Sequence, residues 1–541
     1  MMDRLISEVR QVWLAVLAFV VVGVGAEGAD ERNLAKELAS QLPGFFGPQT
    51  MPTEALEVER LVAEWDPASM LLVSIPLSDT LRDPRIFAFY FSLIDVASRY
   101  VEVGILHELN GERMVGRFLK RLEEEGMALA SLERVHFLQN QTGSSWVRDF
   151  GPLFGVGAGG GLVVFDNIYR SLADEKEAWS LAPTVIDAGP LAEDEEGFQA
   201  FRTEARRSEV SPLFVAKFLR EHYQFSCDVV RPPLHLQGGD YIADGMGRVY
   251  ISEDTVLMNG GRLKDVERVF TEYYGADELL VLNALPGTAA KHLDLLLCHA
   301  RLGVFILTEP PAMVGGANLS YRRMVEEVRN IQKANEAYLL RNQPEAKIYR
   351  VPMPPLVSED SRRVRVKARS QIFAYVCEEI GIDYLRYVQL PNGDPQRRLV
   401  QRRVMEHLGE LVGKEIDFEN DGDFDLAAKR YLGADLATLI ETNVDAGTIY
   451  RSYVNSVQIV TEEGRKLWLL PRYRAREGES VEAFAAMEAE VERVYRLADP
   501  GAILEWIDAD AVSERMGAIH CLAMTLPQSS VLNQSTRGKE F

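Results

Sequence analysis

The chain has 541 residues, 47% hydrophobic and 26% charged, enough to bury a large core in one domain or several. Its formal net charge of −22 argues against a nucleic-acid partner, which needs clustered Lys and Arg, and suits a cationic ligand. Four widely separated cysteines, Cys227, Cys298, Cys377 and Cys521, show no C-x-x-C pairing, so neither a zinc ribbon nor a disulfide framework is signalled.

Residues 1–26 carry an apolar run from Val12 to Val24 that is short for a membrane span and ends in the small residues Gly25 and Ala26. They read as a signal peptide, and so as export to the periplasm or medium; left uncleaved, the same run would be a membrane anchor. Residues 27–62 read as a helical prefix, and residues 63–541 as one large domain.

From "AEWDPASMLLVSIP" (63–76) onward an α/β rhythm appears: an apolar strand, a glycine turn, a second strand, then often an amphipathic helix. The clearest copies are residues 146–170, 235–257 and 452–473. In the second, Asp244-Gly245 is a tight-turn dipeptide. After it Val266, Val269, Phe270 and Tyr273 fall at helical spacing, with Gly275 as a stop. Residues 361–445 break the rhythm with charged helical sequence and read as an insertion, either a lid or docking element or a decoration of one loop.

Four stretches hold residues suited to chemistry. "WVRDFGP" (146–152) sets Asp149 beside Arg148 between Trp146 and a Gly-Pro break, either a charged turn or a carboxylate for a cationic ligand. "HLQGGDYIADGMG" (235–247) holds Gln237 and Gly238 ahead of Asp240 and Asp244, two aspartates that read as turn residues. In "PGTAAKHLDLLLCHA" (286–300), His292 and Asp294 are two apart and share a face if extended; they could clamp one bound group, ligate a metal, or pair in a core. No His-x-His or H-E-x-x-H accompanies them, which weakens the metal reading. Cys298 reads as core packing. Cys521, in "MGAIHCLAMTLP" (516–527), is packing or a nucleophile, and on a strand His520 would point away from it.

Together with "AEWDP…LLVSIP" and "SYVNSVQI" (452–459), these segments occur in an order that resembles the bacterial peptidyl-arginine deiminase and agmatine deiminase family of guanidino-modifying enzymes, over residues 63–527 outside the insertion. The resemblance implies a pentein-like five-bladed α/β propeller of ββαβ units. It also implies deimination of a guanidino group to a ureido product and ammonia through a covalent cysteine thiouronium intermediate. By the same correspondence Cys521 is the nucleophile, His292 the acid and base, and Asp149 and Asp294 the guanidinium carboxylates. Trp146, Arg148, Gln237, Gly238 and Asn455 complete the substrate site, Gln237 standing where many relatives have Glu. No metal or organic cofactor is implied. The substrate would be an arginine-containing peptide, with the small guanidino compound agmatine close behind. An amidinotransferase, or a guanidine-binding protein without activity, is the alternative.

Overall fold

The computed structural model describes residues 54–107, 112–139, 144–169, 208, 211–286, 291–313, 319–357, several between 369 and 382, 395–414, 416, 421–432, 449–476, 479–514 and 517–532. The expected signal peptide and most of the prefix lie outside them. Where the prefix is described it is not helical: β1 (Val58–Leu61) pairs antiparallel with β5 (Leu153–Gly157). The partner lies about a hundred positions away in sequence, so a period-based reading of the prefix had no means of finding the pairing.

Among the described residues, five sheets share one wiring. In the first, β2 (Ala68–Ser74) is followed by the helix Pro84–Ser98, by β3 (Glu102–His107) parallel to β2, and by β4 (Val135–Gln139) parallel to β3. Its antiparallel partner comes from the other end of the chain: β17 (Ala523–Pro527) pairs with β2, giving the order β17-β2-β3-β4.

The other sheets repeat a hairpin, a crossover helix and a strand returning parallel. The second joins β5 and β6 (Leu162–Phe165) through the helix Ser211–Tyr223 to β7 (Cys227–Val230). In the third, β8 (Tyr241–Ala243) and β9 (Arg248–Ser252) lead through the helix Leu263–Tyr274 to β10 (Glu278–Leu282). The fourth joins β11 (Leu297–Arg301) and β12 (Val304–Pro311) through Leu319–Asn342 to β13 (Lys347–Met353). The fifth joins β14 (Val457–Val460) and β15 (Lys466–Arg472) through Val481–Ala498 to β16 (Ile503–Asp508). Parallel neighbours need a long crossover, and a helix that buries its apolar face on the sheet supplies one.

The local signals read from the sequence hold. The third-sheet helix buries Val266, Val269 and Phe270 as expected, with Tyr274 in the core in place of the expected Tyr273, which is only partly buried, and ends at Gly275, whose φ of 65° is left-handed. The Asp244 carboxylate accepts from the Met246 and Arg248 amides, making the β8–β9 turn. Asp240 is different: its carboxylate is buried and accepts from Ser252 and Thr255 side chains, so it staples the hairpin to the following helix. Cys298 is buried against the Tyr495 hydroxyl, and all four cysteines are unbridged.

The 361–445 block falls between β13 and β14. A bridge between Val357 and Ile449 closes its neck. Its helices Pro395–Val412 and Asp421–Leu432 pack with residues 372–377 in a core of their own, including Ile372, Val376, Val404, Leu408 and Phe424. Among the described residues no helix is long and apolar enough to cross a membrane.

Candidate active site

Each repeat places a short segment just before the first strand of its hairpin, and the chemistry-bearing residues sit on these segments. Asp149 lies in the single turn Val147–Phe150 before β5, and Gln237 precedes the 3-10 turn Gly238–Asp240 before β8. His292 caps the 3-10 turn Leu293–Leu295, which contains Asp294, before β11. Asn455 precedes β14, Cys521 lies in the turn Ile519–Leu522 before β17, and Glu64 comes shortly before β2.

The structure brings Cys521, Asp294, Asn455, His292, Asp149 and Gln237 together. Cys521 Sγ is 3.5 Å from Asp294 Oδ2, and Asn455 Nδ2 donates to the sulfur at 3.2 Å. Asn455 also donates to the Asp294 carbonyl and accepts from the His520 amide, so one side chain ties the sulfur to both flanking segments. His292 Nε2 donates to Gln237 Oε1 at 2.6 Å, while its Nδ1 faces Asp149 Oδ1 at 3.5 Å. An amide oxygen thus fills the acceptor position that a glutamate would occupy. His292 and Asp294 converge through a 3-10 turn rather than an extended segment.

Glycines permit the close approach. A Cβ on Gly239 would stand 2.4 Å from His292 Nδ1 and 3.1 Å from Asp149 Oδ1, filling the space between the imidazole and the carboxylate. One on Gly517 would meet the Trp146 ring at 2.3 Å, so the absence of a side chain there lets that ring pack close to the approach to Cys521.

Three expectations require correction. His520 does not face away from Cys521: the segment is a helical turn, not a strand, and His520 Nδ1 reaches Asp294 Oδ2 at 2.8 Å. Arg148 does not face the site. Its guanidinium is buried, pairs with Glu64 at 2.8 Å, and donates to the carbonyls of His520 and Ala523, so it braces the turn that carries Cys521. Gly238 packs against the Arg148 carbonyl, where a Cβ would lie only 2.1 Å from the oxygen, so its part is close backbone approach and not a ligand contact.

Glu64 is the residue that sequence reasoning missed. Its Oε1 accepts from His520 Nε2 at 2.7 Å and from Arg148, completing a chain Glu64–His520–Asp294–Cys521. "AEWDP" stood out only as the approach to a strand, and nothing local to it announces a partner 456 positions away.

The electrostatics follow from burial set against these partners. Burial favours the neutral form of Glu64, but His520 and Arg148 outweigh it and hold its pKa at about 2. Asp294 is likewise held below its ordinary value against burial, chiefly by the His520 hydrogen bond and charge. Asp149 is raised to about 6, mainly by burial, with His292 opposing and the Asp294 charge adding to it. Both histidines are raised despite burial: His292 by Asp149, Asp294 and Asp240, His520 by Glu64 and Asp294. Burial lifts the Cys521 thiol well above its ordinary range, and the Asp294 and Asp149 charges add to this.

At this site two buried carboxylate oxygens accept no hydrogen bond from the described residues: Asp294 Oδ1, and Asp149 Oδ1, which faces His292 Nδ1 at 3.5 Å. Unsatisfied buried carboxylate oxygens are costly, and here both lie beside a sulfur and an imidazole. The arrangement can accept N–H groups from a planar cation whose central atom faces the thiol.

The model of the Porphyromonas-type peptidyl-arginine deiminase family matches residues 60–527. Among solved structures, the agmatine deiminase of Enterococcus faecalis is 13% identical with a TM-score of 0.50, covering 88% of this chain and 100% of its own. A candidate agmatine deiminase is 14% identical with a TM-score of 0.51 at 88% and 100% coverage. A candidate arginine deiminase from Porphyromonas gingivalis is 14% identical with a TM-score of 0.50 at 87% and 98%. These likenesses show a shared α/β fold. No curated protein matches the chain.

Proposed function

The chain belongs to the Porphyromonas-type peptidyl-arginine deiminase family, whose members are hydrolases acting on C–N bonds, and from that premise we propose that it deiminates a guanidino group, with Cys521 as nucleophile. The observation that carries the reading is the pair of buried carboxylate oxygens, Asp149 Oδ1 and Asp294 Oδ1, that accept no hydrogen bond among the described residues and flank Cys521 and His292. The five ββαβ units support a five-bladed propeller with this site at its centre.

In this mechanism the substrate guanidinium gives its N–H groups to Asp149 and Asp294, which orients its carbon toward Sγ. In the free enzyme the thiol is neutral. Arrival of a cation between the carboxylates offsets their charge and lowers the thiol pKa, so the thiol proton is lost to solvent water as the substrate binds. The thiolate attacks the carbon, and the adduct's amino group takes a proton from imidazolium His292 and departs as ammonia. Neutral His292 then removes a proton from water as that water adds to the thiouronium carbon. Collapse breaks the C–S bond, the adduct's hydroxyl proton passes to the departing Cys521 sulfur, and a neutral ureido product and the free thiol remain. His520, charged and held by Glu64, keeps Asp294 ionised and fixed; it is a positioning residue. Gln237 orients the His292 ring.

The proposed substrate is arginine within a peptide, with agmatine second, because the leader favours export to a compartment where peptides are met. The test is to offer the purified protein agmatine, arginine and an arginyl peptide, and to assay ammonia and ureido product from each. Highest kcat/KM on the peptide supports the reading; preference for agmatine reassigns the substrate; no product from any guanidine with a folded protein overturns deimination itself.

A further inference from the structure

We propose that Glu102, His136 and His222 form a divalent-metal site, suited to zinc, which pins the helix Ser211–Tyr223 of the second unit to the first sheet. It lies apart from the residues assigned to catalysis. β3 and β4 pair with Gly104 opposite His136, and Glu102 is two residues before Gly104, so alternation puts Glu102 and His136 on one face. That face is covered by the helix: Leu106 and Leu138 share a buried cluster with Val215, Ala216 and Leu219. The last turn of the helix then carries His222 over the ends of both strands.

The donor geometry is close to that of a bound ion. His136 Nε2 is 3.5 Å from Glu102 Oε1 and His222 Nε2 is 3.4 Å from Glu102 Oε2, and one ligand atom from each residue lies within 4.8 Å of the others. Zinc bonds to nitrogen and oxygen are about 2.0–2.2 Å, so donors around a tetrahedral ion stand roughly 3.3–3.5 Å apart. His136 Nε2 is buried and has no hydrogen-bond partner among the described residues. Two imidazoles and one carboxylate are a zinc donor set, and the solvent side, where His222 is about one-third exposed, leaves room for water as fourth ligand.

The surroundings hold the ligands in place. The Tyr223 hydroxyl donates to Glu102 Oε2, and the Phe218 ring stacks on His222 with centroids 4.8 Å apart at 14°. Such outer contacts orient metal ligands and sharpen affinity. The three donors come from three elements, so an ion would link strand to strand and helix to sheet.

The test uses chelator-treated protein titrated with Zn²⁺ by calorimetry, with bound metal counted after gel filtration. One equivalent should bind, and a hundredfold excess over Kd should raise Tm by a few degrees. Co²⁺ in its place should give the visible absorption of a four-coordinate site. His222→Ala and Glu102→Gln should each lose the bound equivalent and the Tm rise while keeping guanidine turnover at 25 °C. Cys521→Ser should keep both. Failure of the treated protein to bind zinc, binding that survives both ligand variants, or binding lost only in Cys521→Ser would overturn the proposal. Because the readouts are metal content and Tm, they stand independently of the deiminase assignment.

Discussion

Replacing Glu64 by Gln tests whether the chain from Glu64 through His520 to Asp294 serves catalysis or only packing. The substitution keeps the shape and one acceptor oxygen but removes the charge that faces His520 and Arg148. Glu64 is displaced from 4.5 to about 2, which at 1.36 kcal/mol per pKa unit is on the order of 3 kcal/mol of interaction with its two cations. In the variant His520 gives up its proton more readily, so Asp294 loses a cationic neighbour and its own pKa climbs. Part of the lost energy falls on the buried Arg148 as stability and part on Asp294 as catalysis. We therefore expect kcat/KM at pH 7 to fall roughly tenfold to a hundredfold, equivalent to about 1.4–2.8 kcal/mol. Stability has a definite sign. A carboxylate with a depressed folded pKa stabilises the fold above its unfolded pKa, and the benefit is lost as pH falls toward the folded value. The variant should thus have a lower Tm than the parent at pH 7, with the gap narrowing from pH 4.5 downward. Melting curves at pH 7, 4.5 and 3.5 and kcat/KM between pH 5 and 9 measure both. A variant that loses Tm but keeps the parental kcat/KM and pH profile would refute the catalytic part of the reasoning.

Cys521→Ser should fold and bind guanidines without turning them over, since an alkoxide is far scarcer than a thiolate at neutral pH. A cationic haloacetamidine should label Cys521 faster than neutral iodoacetamide does, because only the cation lowers the raised thiol pKa; labelling confined to Cys298 or Cys377 sinks the assignment. Asp149, raised to about 6, must be ionised to hold a guanidinium, so kcat/KM should rise with pH through about 6, and Asp149→Asn should erase that limb. The same variant should lose roughly a hundredfold to several thousandfold in kcat/KM, as expected for a broken buried pair worth about 3–5 kcal/mol. An acid whose folded pKa is raised destabilises the empty protein as pH climbs from 3.8 through 6, so Asp149→Asn should gain Tm at pH 7 and gain nothing below pH 4. An unstable but active Asn variant would show that Asp149 is a turn residue.

The parts of the fold legible in sequence were those whose signal is local. The hairpins around Asp244-Gly245 and the helix ending at Gly275 follow from turn chemistry and 3.6-residue spacing. That Cys521, His292, Asp294, Asp149 and Asn455 belong together was legible because each sits in a compact motif, and the structure brings them together. What escaped depends on contacts between distant segments. β1 is four residues long and defined by its partner β5. The direction of His520 was misread because alternation along a strand was applied to a single helical turn, and one turn of four residues has no periodicity to reveal it. Glu102, His136 and His222 are 34 and 86 positions apart (136 − 102 and 222 − 136), so motif rules built on short metal-ligand spacings pass over them.

Gln237 takes on meaning only when the charges around it are counted together. Three carboxylates, Glu64, Asp149 and Asp294, face three cations, Arg148, His292 and His520, while Asp240 is raised to about 7 and held by Ser252 and Thr255. With a neutral amide at 237 and Asp240 about half ionised at pH 7, the site carries only a fraction of a negative charge before substrate arrives. A guanidinium then adds a positive charge that is only partly compensated in a buried setting, where such an excess is expensive. The Cys521 thiol is the neutral acid in contact with that charge, and losing its proton restores the balance. A glutamate at 237 would leave the empty site one charge more negative; the substrate would merely neutralise it, and the pressure on the thiol to ionise would be weaker. The amide keeps the hydrogen bond that orients His292 while leaving substrate charge to activate the nucleophile. An amide at 237 is therefore compatible with the proposed catalysis, and it ties activation of Cys521 more tightly to the presence of a cationic substrate.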